Sequence, residues 1–130
     1  MSRYKSQGFN NTFKNARKGF NLAVKSEINI RIHVSVAVLV IVSAFLLKFS
    51  TVEFCCLLFA IAQVICAEML NTAIEFALDS IYHNRYSRMV GMAKDISAGA
   101  VMFATVVSII VGIILFGGKI ISLLQLACRM

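Results

Sequence analysis

Six carboxylates hold most of the chemistry this chain could perform: Glu27, Glu53, Glu68, Glu75, Asp79 and Asp95. Glu68, Glu75 and Asp79 are spaced so that, at ~100° per helical residue, they fall within about 40° of one another. At ~1.5 Å per residue, Glu68 lies about 16 Å from Asp79 along the axis. Asn71 and Thr72 border the same stripe, and the run from Phe54 to Ala67 that precedes it is apolar. An ionisable group set that deep in apolar sequence costs at least ~2.5 kcal/mol if it faces lipid, so the stripe must face other helices or a wet cleft. A hydrogen-bonded polar seam between helices would satisfy it structurally. A functional site would use it further. Two carboxylates near an interface can hold Mg²⁺ together with substrate phosphates. A deeper, partly desolvated glutamate such as Glu68 can accept a proton from a hydroxyl among lipids. Lys94, beside Asp95, offers a cation to phosphate oxygens. Together these groups suit phosphoryl transfer from a nucleotide to an alcohol in a bilayer. Neither a Walker A sequence nor any protein-kinase signature occurs, so soluble kinase classes are excluded.

The elements that must position these groups are membrane helices. Of 130 residues 59% are hydrophobic and only 15% charged, with no proline or tryptophan. Mean hydropathy is +0.83. Too little polar material remains to coat a soluble globule, and the length allows one domain, residues 1–130. The net charge of +7 comes from cations that flank apolar stretches. That pattern indicates topology control and anionic headgroups, and no nucleic-acid motif accompanies it. The four cysteines, Cys55, Cys56, Cys66 and Cys128, lack metal-ligand spacing and read as buried small hydrophobes.

Residues 1–31 form a patterned basic segment. Phe9, Phe13, Ala16, Phe20 and Val24 recur at helical spacing, while Lys14, Arg17, Lys18, Asn21 and Lys25 take other faces. This predicts an amphipathic helix lying on a membrane surface, and no cleaved signal peptide. Three spans follow, at about 31–49, 54–81 and 95–117. The third includes Ile96 to Phe116 without a charge. Gly117 and Gly118 are expected to end it, leaving an apolar tail from Lys119 whose role the sequence does not reveal. Seven N-terminal cations (Arg3, Lys5, Lys14, Arg17, Lys18, Lys25, Arg31) and Arg85, Arg88 and Lys94 in and after the second loop oppose Lys48, Lys119 and Arg129. Ten against three predicts a cytoplasmic N-terminus and 82–94 loop, which puts every acid except Glu53 toward the cytoplasm.

At these residues the chain resembles the prokaryotic diacylglycerol kinase family. The resemblance rests on Glu68-Met-Leu-Asn71-Thr-Ala-Ile-Glu75, then Asp79, then Ala93-Lys94-Asp95, and covers about residues 8–118. The segment Glu27-Ile-Asn29-Ile-Arg31-Ile-His33 is more similar to the Gram-positive branch, the undecaprenol kinases. The resemblance implies an all-α integral membrane homotrimer, with three transmembrane helices and a surface helix per subunit and sites near subunit contacts. It implies that Glu68 is the catalytic base, that Glu27 and Glu75 hold Mg²⁺ and ATP, and that Lys94 and Asp95 bind nucleotide. Asn71 and Asp79 correspond to supporting polar positions. Where the family has Glu-Tyr-His before its Ala-Lys-Asp, this chain reads Arg85-Tyr86-Ser87, with Tyr82-His83 earlier; no nucleotide contact is carried to that loop.

The expected activity is therefore ATP-dependent phosphorylation of a membrane lipid alcohol at the plasma membrane of a bacterium. Undecaprenol, for carrier recycling in wall synthesis, is the first candidate, and diacylglycerol, giving phosphatidic acid, the second. A small proton-coupled exporter would use Glu68 alone and needs no row of acids at one face. A non-enzymatic adaptor would explain the basic helix but not Glu68.

Overall fold

The computed structural model describes residues 8–83, 85 and 87–129. Four helices follow one another: α1 (Phe9–Ser26), α2 (Ile28–Leu46), α3 (Thr51–Tyr82) and α4 (Arg88–Ala127). Positions 1–7 of the expected surface helix, and Tyr86 of the departing loop, lie outside the described residues.

α1 and α2 meet at one extended residue. Glu27, at φ −112° and ψ 124°, caps both helices. Its N–H donates to the Ala23 carbonyl, and its own carbonyl accepts from Arg31 N–H at 3.4 Å. The first apolar helix therefore begins at Ile28, earlier than the expected 31. Ile30, in the first turn of α2, is already fully buried and anchors that turn in the core.

α2 ends in a Schellman turn. Phe49 N–H donates to Ala44 O and Lys48 N–H to Phe45 O, with Lys48 left-handed at φ 52°. Ser50 then caps α3 in a reciprocal box: its hydroxyl accepts from Glu53 N–H at 3.3 Å, and Glu53 Oε2 accepts from Ser50 N–H at 2.6 Å. Aromatic pairs close this end of the bundle, Phe45 on Phe54 and Phe49 on Phe116. Lys119 lies over the Phe49 ring and 3.7 Å from Glu53.

α4 carries the expected 95–117 span and continues through Gly117–Gly118, where the sequence pattern predicts a break. It runs unbroken from Arg88 to Ala127, and neither glycine has a positive φ. A helical glycine costs only ~1 kcal/mol relative to alanine. The ladder bonds on either side, with Phe116 and Lys119 anchored on the preceding turn, outweigh that cost.

α4 packs along α3, α2 against α3, and α1 touches both α2 and α3. The core consists of small or branched residues about one heptad apart: Ile30, Ala37 and Ala44 on α2, and Val90, Ser97 and Ala104 on α4. They face Leu57, Ala60, Val64, Glu68 and Thr72 on α3. Alanine and serine at such spacing let helix backbones approach closely, as helices packing within lipid require. Outside this seam the surface is apolar, with Leu39, Phe59 and Ile113 all strongly exposed. α2, α3 and α4 are each long and apolar enough to cross a membrane. The chain is a multi-pass membrane protein with an all-helical fold.

Candidate active site

The acid stripe faces inward, as its angular spacing requires. α3 turns Leu57, Ala60, Val64, Glu68 and Thr72 into the core, and the same face continues through Glu75 and Asp79, which are half-buried. Glu68 is 5% exposed. One chain thus shields this carboxylate by itself. Its neighbour from α2 is His33, whose Nε2 lies 3.4 Å from Glu68 Oε1.

One turn toward the loop, α3 and α4 are joined by side-chain hydrogen bonds. Ser97, buried on α4, donates its hydroxyl to Asn71 Oδ1 at 2.6 Å, with the Lys94 carbonyl a second acceptor at 2.9 Å. The Asn71 amide donates in turn to Glu75 Oε1 at 3.2 Å. The carboxylate of Glu75, an acceptor only, fixes the amide end of Asn71, and the Ser97 hydroxyl, able to donate or accept, then donates to the carbonyl end. Farther along, Lys94 Nζ donates to Asp79 Oδ1 at 2.6 Å. A string of polar groups thus runs from Glu75 through Asn71 and Ser97 to the turn that presents Lys94 to Asp79.

Of the residues singled out in the sequence, Asn71, Glu75, Asp79 and Lys94 are joined by these bonds, with Glu68 one helical turn away on the same face. Asp95 points outward from α4, and Glu27 is half-buried at the α1–α2 junction. Glu53 stands apart at the opposite end of α3, occupied by its capping box and Lys119. Two contributors were not recognised in the sequence, His33 and Ser97. His33 is one of two histidines and stands at the polar end of an apolar helix; Ser97 follows Lys94 at helical spacing. Those were the available signals.

Among the described residues, no three His, Cys, Asp or Glu side chains converge as a metal cage. The donor chemistry fits a different use. Glu75, fixed by Asn71, and Glu27 are hard oxygen donors of the kind that hold Mg²⁺ once a nucleotide's phosphates supply the remaining ligands. The cysteines are free and lie on the exposed surface of the chain, contrary to the expectation of buried thiols. The reason is that apolar helix faces in a membrane protein turn outward as well as inward.

A cavity of about 230 Å³ opens beside the site, between α2, α3 and α4, with His33 at one end and Phe116 at the other. Val40, Leu57, Val64 and Ile109 line it, and Gly112 contributes open space where a Cβ would meet nothing.

Residues 14–116 match the family described as prokaryotic diacylglycerol kinase. Undecaprenol kinase of Bacillus subtilis (strain 168) is 32% identical over 112 residues, covering 86% of this chain and 90% of that protein. Diacylglycerol kinase of Synechocystis sp. (strain ATCC 27184 / PCC 6803 / Kazusa) is 34% identical over 113 residues, covering 87% of this chain and 65% of the relative. The matched region contains the whole acid stripe, Lys94 and Asp95, and with that coverage the chain belongs to the prokaryotic diacylglycerol kinase family and is a lipid kinase.

Proposed function

We propose that this lipid kinase transfers the γ-phosphoryl group of ATP to a membrane lipid alcohol, undecaprenol in the first place, at the cytoplasmic face of a bacterial plasma membrane. The observation that carries the reading is Glu68, a carboxylate buried at 5% exposure on an apolar helix, 3.4 Å from His33, which lines an apolar cavity. A lipid whose chain lies in that cavity brings its terminal hydroxyl to the His33 end, within reach of Glu68 as general base. The carboxylate takes the hydroxyl proton as the oxygen attacks the γ-phosphorus, and ADP departs.

Glu27 and Glu75 hold Mg²⁺ with the nucleotide phosphates, Lys94 and Asp95 bind the nucleotide, and Asn71 and Asp79 support Glu75 and Lys94 through the bonds described above. The metal ion supplies charge neutralisation at the phosphoryl oxygens. Lys94 has three donors and spends one on Asp79, which leaves two for phosphate. α1 lies on the membrane surface with Phe9, Phe13 and Phe20 in the lipid; all three are exposed on the isolated chain. The N-terminus is cytoplasmic by the cation asymmetry. Three copies assemble as a homotrimer, as the family resemblance implies. Burial of Glu68 within one chain removes shielding of that charge as a reason for assembly, so the trimer's contribution is the enclosure of the nucleotide.

The undecaprenol assignment rests on the Glu27 to His33 segment and on the Bacillus relative; the Synechocystis relative supports diacylglycerol as the second candidate. A proton-coupled exporter finds no support in a chain of this family.

One experiment tests both layers. Purified protein in detergent micelles receives Mg²⁺, labelled ATP and either undecaprenol or diacylglycerol, with Glu68→Gln in parallel. Undecaprenol should be phosphorylated faster, and Glu68→Gln should lose about 10²–10⁴ in turnover, the usual worth of general-base catalysis, while retaining ATP binding. Faster turnover of diacylglycerol would overturn the substrate; near wild-type turnover by Glu68→Gln would overturn the base.

A further inference from the structure

A base that receives a proton in every cycle must also lose it. Glu68 is buried on α3, with apolar neighbours along its own face (Val64) and the polar but non-titrating Thr72 one turn away. Among the described residues the titratable partner the structure gives it is His33, 3.4 Å away, Nε2 to Oε1. The His33 side chain is 26% exposed against 6% for that of Glu68, so the imidazole reaches from the buried carboxylate toward the surface. It also borders the cavity, whose other polar lining is hydroxyl only, Thr105 and Ser108 on α4. Thr105 is already committed to the Val101 carbonyl. Imidazole is the side chain suited to taking and returning a proton near neutral pH.

We propose that His33 is the positioning residue of the base: it orients Glu68 and carries its proton out. This rests on Glu68 being the base. The alcohol O–H bond breaks and its proton goes to Glu68 while the alcohol oxygen bonds the γ-phosphorus and the bond to the β-phosphate oxygen breaks. Glu68 then passes the proton to the Nε2 lone pair of His33, in the tautomer that holds its hydrogen on Nδ1. The imidazolium releases the Nδ1 proton to water, and exchange with water restores the starting tautomer. The carboxylate is returned charged and ready for the next hydroxyl.

The test is chemical rescue of the full-length protein in lipid-loaded micelles. His33→Ala leaves space that opens on the cavity, wide enough for a small azole. Turnover should fall by about 10²-fold, the lower end for proton-transfer groups, with KM for ATP unchanged. Added imidazole should restore turnover saturably. Pyrazole, equal in size but a far weaker base, should not. His33→Gln, which retains a hydrogen-bonding side chain, should stay slow with either additive, and serves if His33→Ala does not fold. Equal rescue by both azoles would make His33 a spacer and overturn the proposal. Wild-type turnover by either variant, or absence of imidazole rescue in a His33→Ala protein that binds ATP normally, would also overturn it. Glu68→Gln run alongside separates the two failures: an active Glu68→Gln removes the base itself, whereas an inactive one with an active His33→Gln removes only the relay.

Discussion

Replacing Ser97 with alanine isolates the contact that joins the two helices of the site. The substitution deletes one oxygen from a residue 7% exposed and adds no bulk, so the helix seam need not move. The Lys94 carbonyl keeps its place in the helical ladder, and the group left without a donor is Asn71 Oδ1. In a dry core such an acceptor costs ~1–3 kcal/mol. Interhelical hydrogen bonds in membrane proteins average only ~0.6 kcal/mol, with ~1.7 the most measured. Asn71 is half-buried, so water can reach it, and the membrane figure governs; we set the loss at about 1 kcal/mol.

That amount also measures how firmly the Asn71 amide is held with its NH₂ toward Glu75. A side chain released from Ser97 can turn its carbonyl to the carboxylate and repel it. An energy of about 1 kcal/mol corresponds to a factor of ~5 in occupancy of the correct orientation. KM for MgATP should therefore rise by up to ~5-fold in Ser97→Ala, with little change in turnover at saturation. Initial rates across an ATP series measure this directly. A double-mutant cycle with Asn71→Ala should give a coupling energy of about 0.6–1.7 kcal/mol. Strict additivity, within ~0.3 kcal/mol, would refute the claim that Ser97 acts through Asn71.

Two further outcomes test the frame around the site. Ser50→Ala removes the capping box at the far end of α3 and should lower the denaturant needed to unfold the protein in micelles while leaving turnover per folded molecule unchanged; a loss of activity without a loss of stability would contradict this. With the other thiols replaced, a cysteine at position 87 should resist impermeant thiol reagents in intact cells and react after permeabilisation. Native Cys128, exposed at the other end of α4, should react from outside; the reverse pattern would invert the topology.

The inward-facing acid stripe was legible because it belongs to a single helix. Periodicity fixes which residues share a face, and Glu68, Thr72, Glu75 and Asp79 share one. What periodicity cannot fix is which faces meet. His33 and Glu68 are brought together by the packing of α2 on α3, and Ser97 reaches Asn71 only because α4 runs along α3. No local pattern in either partner announces these pairs. Helix ends were read less well for a related reason. Glycine weakens a helix by an amount that tertiary anchoring can exceed, and Gly117–Gly118 lie between Phe116, packed at a tilt against Phe49, and Lys119, which reaches Glu53. Conversely, the junction at Glu27 needed no glycine or proline. One residue leaving helical geometry was enough.

The depth of the chemistry follows from the same architecture. α3 has 32 residues, about 48 Å at ~1.5 Å per residue, whereas the hydrocarbon layer is only ~30 Å thick. Its first turn is fixed to the chain reversal by the Ser50 box, the Phe45–Phe54 pair and the Glu53–Lys119 contact, a charged assembly that belongs at a membrane surface. Counted from Thr51, Glu68 stands about 26 Å along the axis, just inside the opposite boundary of the hydrocarbon, while Glu75 and Asp79 stand about 36 and 42 Å along and project beyond it. A buried carboxylate and two half-buried ones farther out are thus successive positions on one helix face, the order that the proposed lipid alcohol and nucleotide require. The apolar cavity runs from His33, the neighbour of Glu68, toward Phe116. On the proposed function, the length of α3 would set the two substrates at their own depths, with the Asn71–Ser97 bond joining the two levels.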